Sequence, residues 1–459
     1  MVNQETNTMT KIAILGFGKE GQATLSFLLT NKRFTGAQIT ILTKTSDPLA
    51  ESAAKTYQSV TYEFGAEYLS KLTNFDIVIR SPGIPYFTPE IQIAVQAGVE
   101  VTSGTKLFFE ALRNYVLGTT NYVPKTIGIT GTKGKGTVAT LLDQMLRSAG
   151  HKTVLVGNIG EPALGKLQEA KEADFAVCEL SSFQLQDMTT SPDIAVILDI
   201  TPDHLDAHKN MKEYIQAKSS ITKFQSEADH LFYFPGKSTE SLVTDSRAKK
   251  HPVDISAFSV FSPKLLQVPG AHTYANAVMA ASVALTLDIP EKTVREAVGN
   301  FGGLPHRLEL IRVWQPANTE PPVAIMVYND SAATNPEATV AAVQSFSDPL
   351  ILIAGGKDKD LDYSSLGKAL KDSTAFSLIL FGENKEKIKS VCASWAGTIH
   401  ETKNLTEAVR LAVQAAAQKQ QNSNYSETII ILFSPASASF DMFKNAYDRG
   451  DQFRRIVKS

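Results

Sequence analysis

The chain has 459 residues, 43% hydrophobic and 20% charged, and a formal net charge of −2. That is the balance of a soluble globular protein, and roughly 100–200 residues per domain predicts two to four domains. Near-neutrality gives no electrostatic footprint for nucleic acid or an anionic membrane, and no stretch reaches the roughly 18 apolar residues of a bilayer span.

Two cysteines, Cys178 and Cys392, cannot build a disulfide framework or a multi-cysteine zinc site. Cys178 lies in an apolar run and reads as a core thiol. Met1 to Thr10 is polar and lacks the apolar segment of a secretory signal, so a cytoplasmic protein is expected.

Lys11–Leu15 is a short apolar run that meets Gly16-Phe17-Gly18-Lys-Glu-Gly21. A helical pattern follows through Phe27-Leu28-Leu29, then a second strand at Ile39–Leu42. Strand, glycine turn, helix and strand open a Rossmann-like unit. A nicotinamide enzyme would want a carboxylate after the second strand to hold the ribose, and Thr43-Lys44-Thr45 has none. The glycine turn still suits another phosphate-bearing ligand, because a helix N-terminus presents free N–H groups. A third strand, Ile77–Ile79, ends in Arg80-Ser81-Pro82-Gly83-Ile84-Pro85, where proline and glycine force a loop.

The pattern restarts at Thr126–Thr130, a buried strand running into Gly131-Thr132-Lys133-Gly134-Lys135-Gly136-Thr137 and a helix from Val138. A phosphate-binding loop needs glycines so that backbone N–H groups can face phosphate, and a lysine to reach the outer oxygens. Glycine follows Lys135 here, so Thr137 is the expected source of the Mg2+-binding hydroxyl. Further strands are predicted at Thr153–Val156, Phe175–Leu180 and Ile194–Ile200. Glu179 falls where strand ends form a ligand crevice, a good place for a metal-binding carboxylate; its plainer reading is an N-cap or a solvated acid. His204 and His208 have the spacing of a zinc pair but no evident third ligand, so one functional histidine, His204, is expected.

A third restart follows Gly302-Gly303-Leu304-Pro305. Strands are predicted at Val323–Tyr328, Leu350–Ala354, Leu378–Phe381 and Thr428–Phe433, with helical stretches such as Leu405–Ala417. The polar runs Gln315–Pro322 and Gln418–Ser426 read as loops. Strands spaced by helices argue for parallel sheets in each block. The expected fold is α/β in three domains: a Rossmann-like N-terminal domain (1–120), a central P-loop domain with a parallel sheet (121–302), and a C-terminal Rossmann-like α/β domain (303–459).

Eight segments, in order and spacing, resemble the Mur ligase family of peptidoglycan synthesis, which shares its core with folylpolyglutamate synthetases. They are Gly131–Thr137, Gly157-Asn158-Ile159-Gly160, Glu179–Gln184, Thr201–Asp206, Gly303–Arg307, Asn329-Asp330-Ser331, Ala354–Lys359 and Ser434–Ser439. The resemblance covers nearly the whole chain. Glu179–Leu185 and Ser434–Phe443 look most like the branch that adds D-glutamate to UDP-N-acetylmuramoyl-L-alanine.

The resemblance implies an ATP-dependent ligase that activates a carboxylate as an acyl phosphate and couples it to an amino acid. The three domains would bind the UDP-sugar, ATP and the amino acid in that order. Lys135 would hold ATP phosphates within the loop 131–137, with Thr137 and Glu179 on one Mg2+. His204 and a carbamylated Lys218 would serve a second Mg2+. Asn276 would meet adenine, Arg307 the nucleotide phosphates and Asp330 the ribose. Asn158, Gly16-Phe17-Gly18 and Ser81-Pro82-Gly83 would contact the UDP-linked substrate; Thr334, Lys359, Ser439 and Phe440 would line the acceptor site. Gly302-Gly303 would serve as a hinge, and a monomer is expected.

Three positions depart from the family pattern. Ala332 stands where a lysine is usual, with Lys357 or Lys359 as possible replacements for its charge. Thr43-Lys44-Thr45 replaces Asp-Thr-Arg, and Asp360 replaces a glycine. The rival readings are a ligase of the same or the folylpolyglutamate type with another acceptor, a P-loop regulatory protein that does not ligate, and a nicotinamide oxidoreductase.

Overall fold

The computed structural model describes residues 9–115, 123–157, 161–203, 208, 210–314, 324–422 and 428–459. β1 (Lys11–Leu15), β2 (Gln38–Thr43), β3 (Val60–Phe64), β4 (Ile77–Arg80) and β5 (Glu100–Ser103) form a first sheet. Its order is β3-β2-β1-β4-β5, parallel throughout. The chain changes direction between β1 and β4, so the loops after those strands flank the crevice of an open α/β sheet.

The second sheet contains β6 (Lys125–Thr130), β7 (Thr153–Gly157), β8 (Phe175–Glu179), β9 (Ile194–Ile197), β10 (His230–Tyr233) and β11 (Lys249–Pro252). It is also parallel, in the order β11-β10-β9-β6-β8-β7. β6 therefore lies between β8 and β9, and the glycine loop that follows it has a strand end on either side.

The third sheet contains β12 (Glu309–Trp314), β13 (Ile325–Asn329), β14 (Leu350–Gly355), β15 (Ala375–Phe381), β16 (Thr398–Glu401) and β17 (Ile429–Phe433). The order is β12-β13-β17-β14-β15-β16, parallel except for β12, which runs antiparallel to β13. By internal contacts the chain forms two compact units, Met1–Ser259 with Asn276–Val294, and Val260–Ala275 with Arg295–Ser459. The first unit carries the first two sheets and the second carries the third.

The central strands are legible because they are apolar on both faces: Ile12–Leu15, Leu350–Ala354 and Ile429–Phe433 are all buried. Strands that the apolar pattern does not mark lie mostly at edges. β11 reads Lys-Lys-His-Pro and β3 buries only Val60, so pairing with a neighbour, not composition, makes them strands. The polar run predicted as a loop is a correction: the helix Leu405–Asn422 continues through Gln418–Asn422. Gln and Lys are good helix formers, and an exposed helix end tolerates them. Gln315–Pro322 lies outside the described residues. Cys178 and Cys392 are both buried, and burial raises both thiols above their ordinary pKa, Cys392 to about 11. Among the described residues no helix is long and apolar enough to cross a membrane.

Candidate active site

The glycine loop after β6 leads directly into the helix Lys135–Ser148, three residues earlier than the apolar pattern predicts. Gly134 caps that helix at φ +84°, and a Cβ there would collide with the Asn276 amide. The loop must be glycine at this point because a side chain approaches it, and that side chain is the expected adenine contact. Thr132 ties the loop to the segment after β9. Its N–H donates to the Asp199 carbonyl (2.9 Å), and its hydroxyl donates to the Thr201 carbonyl (3.0 Å) while accepting from the Thr201 N–H (2.9 Å). Thr137 and Gly136 lie in the first helical turn, half-buried, and Lys133 is exposed. Lys135 Nζ donates back to the carbonyls of Gly131 (3.1 Å) and Thr132 (3.0 Å).

Lys218 ends the helix Met211–Lys218 and is 1% exposed. Its Nζ donates to Gly131 O (3.2 Å) and Thr130 Oγ1 (3.4 Å) and lies 4.6 Å from the centre of the Tyr214 ring. Burial, then the positive charge of Lys135, lowers its pKa to about 7, with Asp203 opposing. Two amines thus converge on one carbonyl of the phosphate loop. Glu179 closes β8, paired in register with Ile129 of β6 and Gly157 of β7, and is 6% exposed. Thr137, Glu179 and Lys218 therefore belong to one strand-end crevice.

His204 and Asn158 lie outside the described residues. His208, its partner in the zinc spacing, is buried: its Nε2 lies 3.0 Å from Ser182 Oγ, its Nδ1 3.7 Å from Glu213, and its ring stacks on Phe183. Among the described residues no three His, Cys, Asp or Glu side chains are grouped to hold a metal ion. An oxygen-rich site for Mg2+ here would thus use the Thr137 hydroxyl, the Glu179 carboxylate and phosphate oxygens of a bound nucleotide. That is the ligand chemistry this ion takes.

A cavity of about 660 Å3 opens at the carboxyl end of the first sheet. Gly16, Phe17, Gly18, Ser81, Pro82 and Gly83 line it, and so do Thr43, Lys44 and Thr45. The second sheet contributes Gly157, Ser181 and Gln184. Thr43–Thr45 is held by Tyr62, whose hydroxyl lies 3.0 Å from Thr43 Oγ1 and accepts from the Asp47 N–H at 2.7 Å. The segment without the family's Asp-Thr-Arg is therefore still part of the cavity wall.

In the second unit, Asp330 follows β13 and is almost wholly buried, accepting from Leu308 N–H (3.2 Å) and Ser434 Oγ (2.8 Å). Burial raises its pKa to about 7 against these hydrogen bonds and the nearby Arg307 charge. Arg307 is exposed between two residues with left-handed backbones, His306 (φ +64°) and Leu308 (φ +44°). Such strain concentrates where a side chain must be aimed. Ser439 is buried, Thr334, Lys359 and Phe440 are exposed, and Lys359 Nζ lies 5.5 Å from the centre of the Phe440 ring. Lys357 forms an ion pair with Glu383 at 2.7 Å, which commits its charge elsewhere. Asp360 occupies a left-handed position (φ +57°), one that glycine adopts at less cost, and its carboxylate pairs with Lys387.

Sequence reasoning missed several groups. Arg449, fully buried, donates to Ser331 O (2.9 Å), Ser331 Oγ (3.0 Å) and Ala438 O (3.2 Å), a cation against the backbone next to Ala332. Tyr214 touches both Thr132 and Lys218. Arg80 and Asp187 form a buried ion pair. The one local signal was a charged residue, Arg80, closing an apolar strand.

Three family profiles match the chain. The N-terminal domain of MurD-like Mur ligases matches residues 10–103, the Mur ligase middle domain 129–265, and the Mur ligase glutamate ligase domain 306–434. The UDP-N-acetylmuramoylalanine–D-glutamate ligase of Acetivibrio thermocellus is 35% identical, over 98% of this chain and 96% of that protein. The protein of the same name from Symbiobacterium thermophilum is 32% identical over 98% of both. Among solved structures, MurF of Acinetobacter baumannii aligns with a TM-score of 0.56 at 15% identity, covering 100% of this chain and 95% of that one. The UDP-N-acetylmuramate-alanine ligase MurC of Thermotoga maritima gives 0.52 at 17% identity, covering 98% and 99%. At such identities these two likenesses concern the fold.

Proposed function

The chain belongs to the Mur ligase family of ATP-dependent amide-bond-forming enzymes, and we propose that it adds D-glutamate to UDP-N-acetylmuramoyl-L-alanine. Membership sets aside the oxidoreductase and the non-ligating P-loop protein. The names of relatives at 30–35% identity over nearly the whole chain support the D-glutamate acceptor. The structural observation that carries most is the convergence of Lys135 and Lys218 on the Gly131 carbonyl of a phosphate loop, beside a strand ending in Glu179.

In this reading residues 1–120 bind the UDP-sugar in the cavity at Gly16–Gly18 and Ser81–Gly83, with Asn158 as a further contact. Residues 121–302 bind ATP and residues 303–459 the amino acid. Lys135 leaves the loop carbonyls to hold the outer phosphates, which the backbone N–H groups of 131–137 cradle. A carboxylate oxygen of the UDP-linked substrate attacks the γ-phosphorus and ADP leaves, giving the acyl phosphate. The amine of the acceptor then attacks the acyl carbon, loses a proton, and phosphate departs. Preorganised cations matter here because two anions must meet in the first step. Mg2+, when bound, would offset that repulsion, held by Thr137 and Glu179 at one position and by His204 and Lys218 at a second.

Lys218 fits carbamylation because the reaction needs a neutral amine. Its nitrogen would attack the carbon of CO2 and release a proton, leaving an N-carboxylate that can ligate a hard cation. With its pKa lowered to about 7, a substantial fraction of this amine is neutral at the pH of the cytoplasm, where ATP and a UDP-linked substrate are both found. Asn276 would meet adenine, Arg307 phosphate and Asp330 the ribose hydroxyls. Lys359 would pair with a carboxylate of the acceptor, and Thr334 and Ser439 would donate to the other, beside Phe440.

A product assay with UDP-N-acetylmuramoyl-L-alanine, ATP, Mg2+ and a panel of amino acids tests the proposal. ATP turnover should require both carboxylate and amine, and D-glutamate should exceed L-glutamate by at least about 10²-fold, the scale of leaving a charged partner unmatched. A faster product with L-lysine, meso-diaminopimelate or L-alanine would move the chain to another branch.

A further inference from the structure

The cavity at the end of the first sheet has walls from two sheets, and a buried ion pair fastens them. Arg80 closes β4 and Asp187 lies just past the helix Ser182–Leu185, yet Arg80 Nη2 and Asp187 Oδ1 are 2.6 Å apart with side chains 0% and 2% exposed. The same guanidinium donates through Nη1 to the Ile84 carbonyl (3.1 Å) and through Nη2 to the Phe183 carbonyl (2.6 Å). Ile84 belongs to the loop of Ser81 and Gly83; Phe183 sits between Ser181 and Gln184. All four of those residues line the cavity. Two further bonds follow the same seam: Ser103 Oγ donates to Asp187 Oδ1 (3.3 Å) and the Tyr86 N–H to Gln186 Oε1 (2.9 Å).

Stability is a poor explanation for this pair. Arg80 Nε and Asp187 Oδ2 are buried without a hydrogen-bond partner among the described residues, and an incompletely satisfied buried pair gains little over apolar side chains of similar volume. What apolar side chains cannot do is hold two backbone carbonyls from different sheets at set angles. A planar guanidinium fork can.

We propose that Arg80 and Asp187 are positioning residues for the UDP-linked substrate: they hold the Ser81–Ile84 loop and the Ser181–Gln184 cap in register so that both walls of the cavity meet one ligand. This rests on the reading of that cavity as the UDP-sugar site. Through Phe183 the pair also sits four residues from Glu179, so the substrate wall and the end of β8 are placed by one side chain.

The test is the double variant Arg80→Met with Asp187→Leu, which replaces the pair by apolar side chains and leaves no lone buried charge. It should fold and melt close to the parent. Its KM for UDP-N-acetylmuramoyl-L-alanine should rise about 10-fold or more, the scale expected of a modest misplacement, while the KM values for ATP and D-glutamate stay within about twofold. Should the double variant not fold, Arg80→Lys serves instead, since it keeps the charge but lacks the fork, and the same split is expected. A parent-like KM for the UDP-linked substrate in either folded variant overturns the proposal. Calorimetric titration of that substrate into the parent protein separates the two layers. No binding to the parent removes the cavity assignment and this proposal together; equal affinity of parent and variant removes the positioning role alone.

Discussion

The crevice of the second sheet and that of the third each collect lysines at strand ends, and they treat them in opposite ways. Lys218 is buried beneath the phosphate loop, where desolvation and the neighbouring Lys135 lower its pKa to about 7. In the third sheet Lys357 and Lys387 are about two-fifths exposed and are matched by Glu383, Asp358 and Asp360, which hold both above the ordinary lysine pKa. The first environment makes an amine reactive and the second keeps a cation charged. The carbamylation proposed for Lys218 calls for the first environment, while Lys357 and Lys387 stay paired with carboxylates in the second.

The largest effect is expected at Lys135. Lys135→Ala should lose at least about 10²-fold in ligation with its fold retained, by analogy with other preorganised electrostatic donors. Circular dichroism with a product assay checks this, and near-normal turnover by the folded variant would remove the P-loop assignment.

Lys218→Ala should fall by a similar factor, about 10²-fold or more. Bicarbonate should not help it, whereas a short carboxylic acid in the buffer should restore some activity by standing in for the missing N-carboxylate. Full activity without any additive would erase the contrast between the two crevices.

Smaller effects are expected in the third sheet. Lys359→Ala should raise the KM for D-glutamate about 10-fold or more, the range of a lost charge-assisted hydrogen bond, with the KM for the UDP-linked substrate unchanged. Lys357→Ala should change either constant by less than about twofold, because its charge faces Glu383 at the surface. A reversed ranking of the two would exchange their roles.

Asp330 provides a pH signature in stability. Its pKa is raised from 3.8 to about 7 in the folded protein, so between those values the folded state binds more protons than the unfolded one. Stability contributed below pH 3.8 is therefore lost as the pH rises through about 7. Asp330→Asn has no proton to lose and should gain on the parent by roughly 2–3 kcal/mol between pH 5 and pH 8 in denaturant titrations. A parallel pH dependence in parent and variant would show that the carboxyl is ionised in the fold.

Much of this protein follows from local sequence. Apolar runs such as Leu350–Ala354 become central parallel strands because both faces must be covered, and glycines between a strand and a helix let backbone N–H groups face an anion. Lys359 and Ser439, which we propose for the acceptor site, were also picked out as motif positions. Tertiary structure decided the rest. β11 is a strand only because β10 pairs with it, and Lys218 acquires its low pKa only when the loop of residues 130–131, almost ninety positions away, closes over it. Arg80 and Asp187 are 107 positions apart, and Arg449 reaches Ser331 across 118. Periodicity and motif spacing report what a residue does among its near neighbours in the chain. Burial, ion pairing and shifted proton affinity depend on which distant groups exclude water from it, and that is set when the sheets and helices pack.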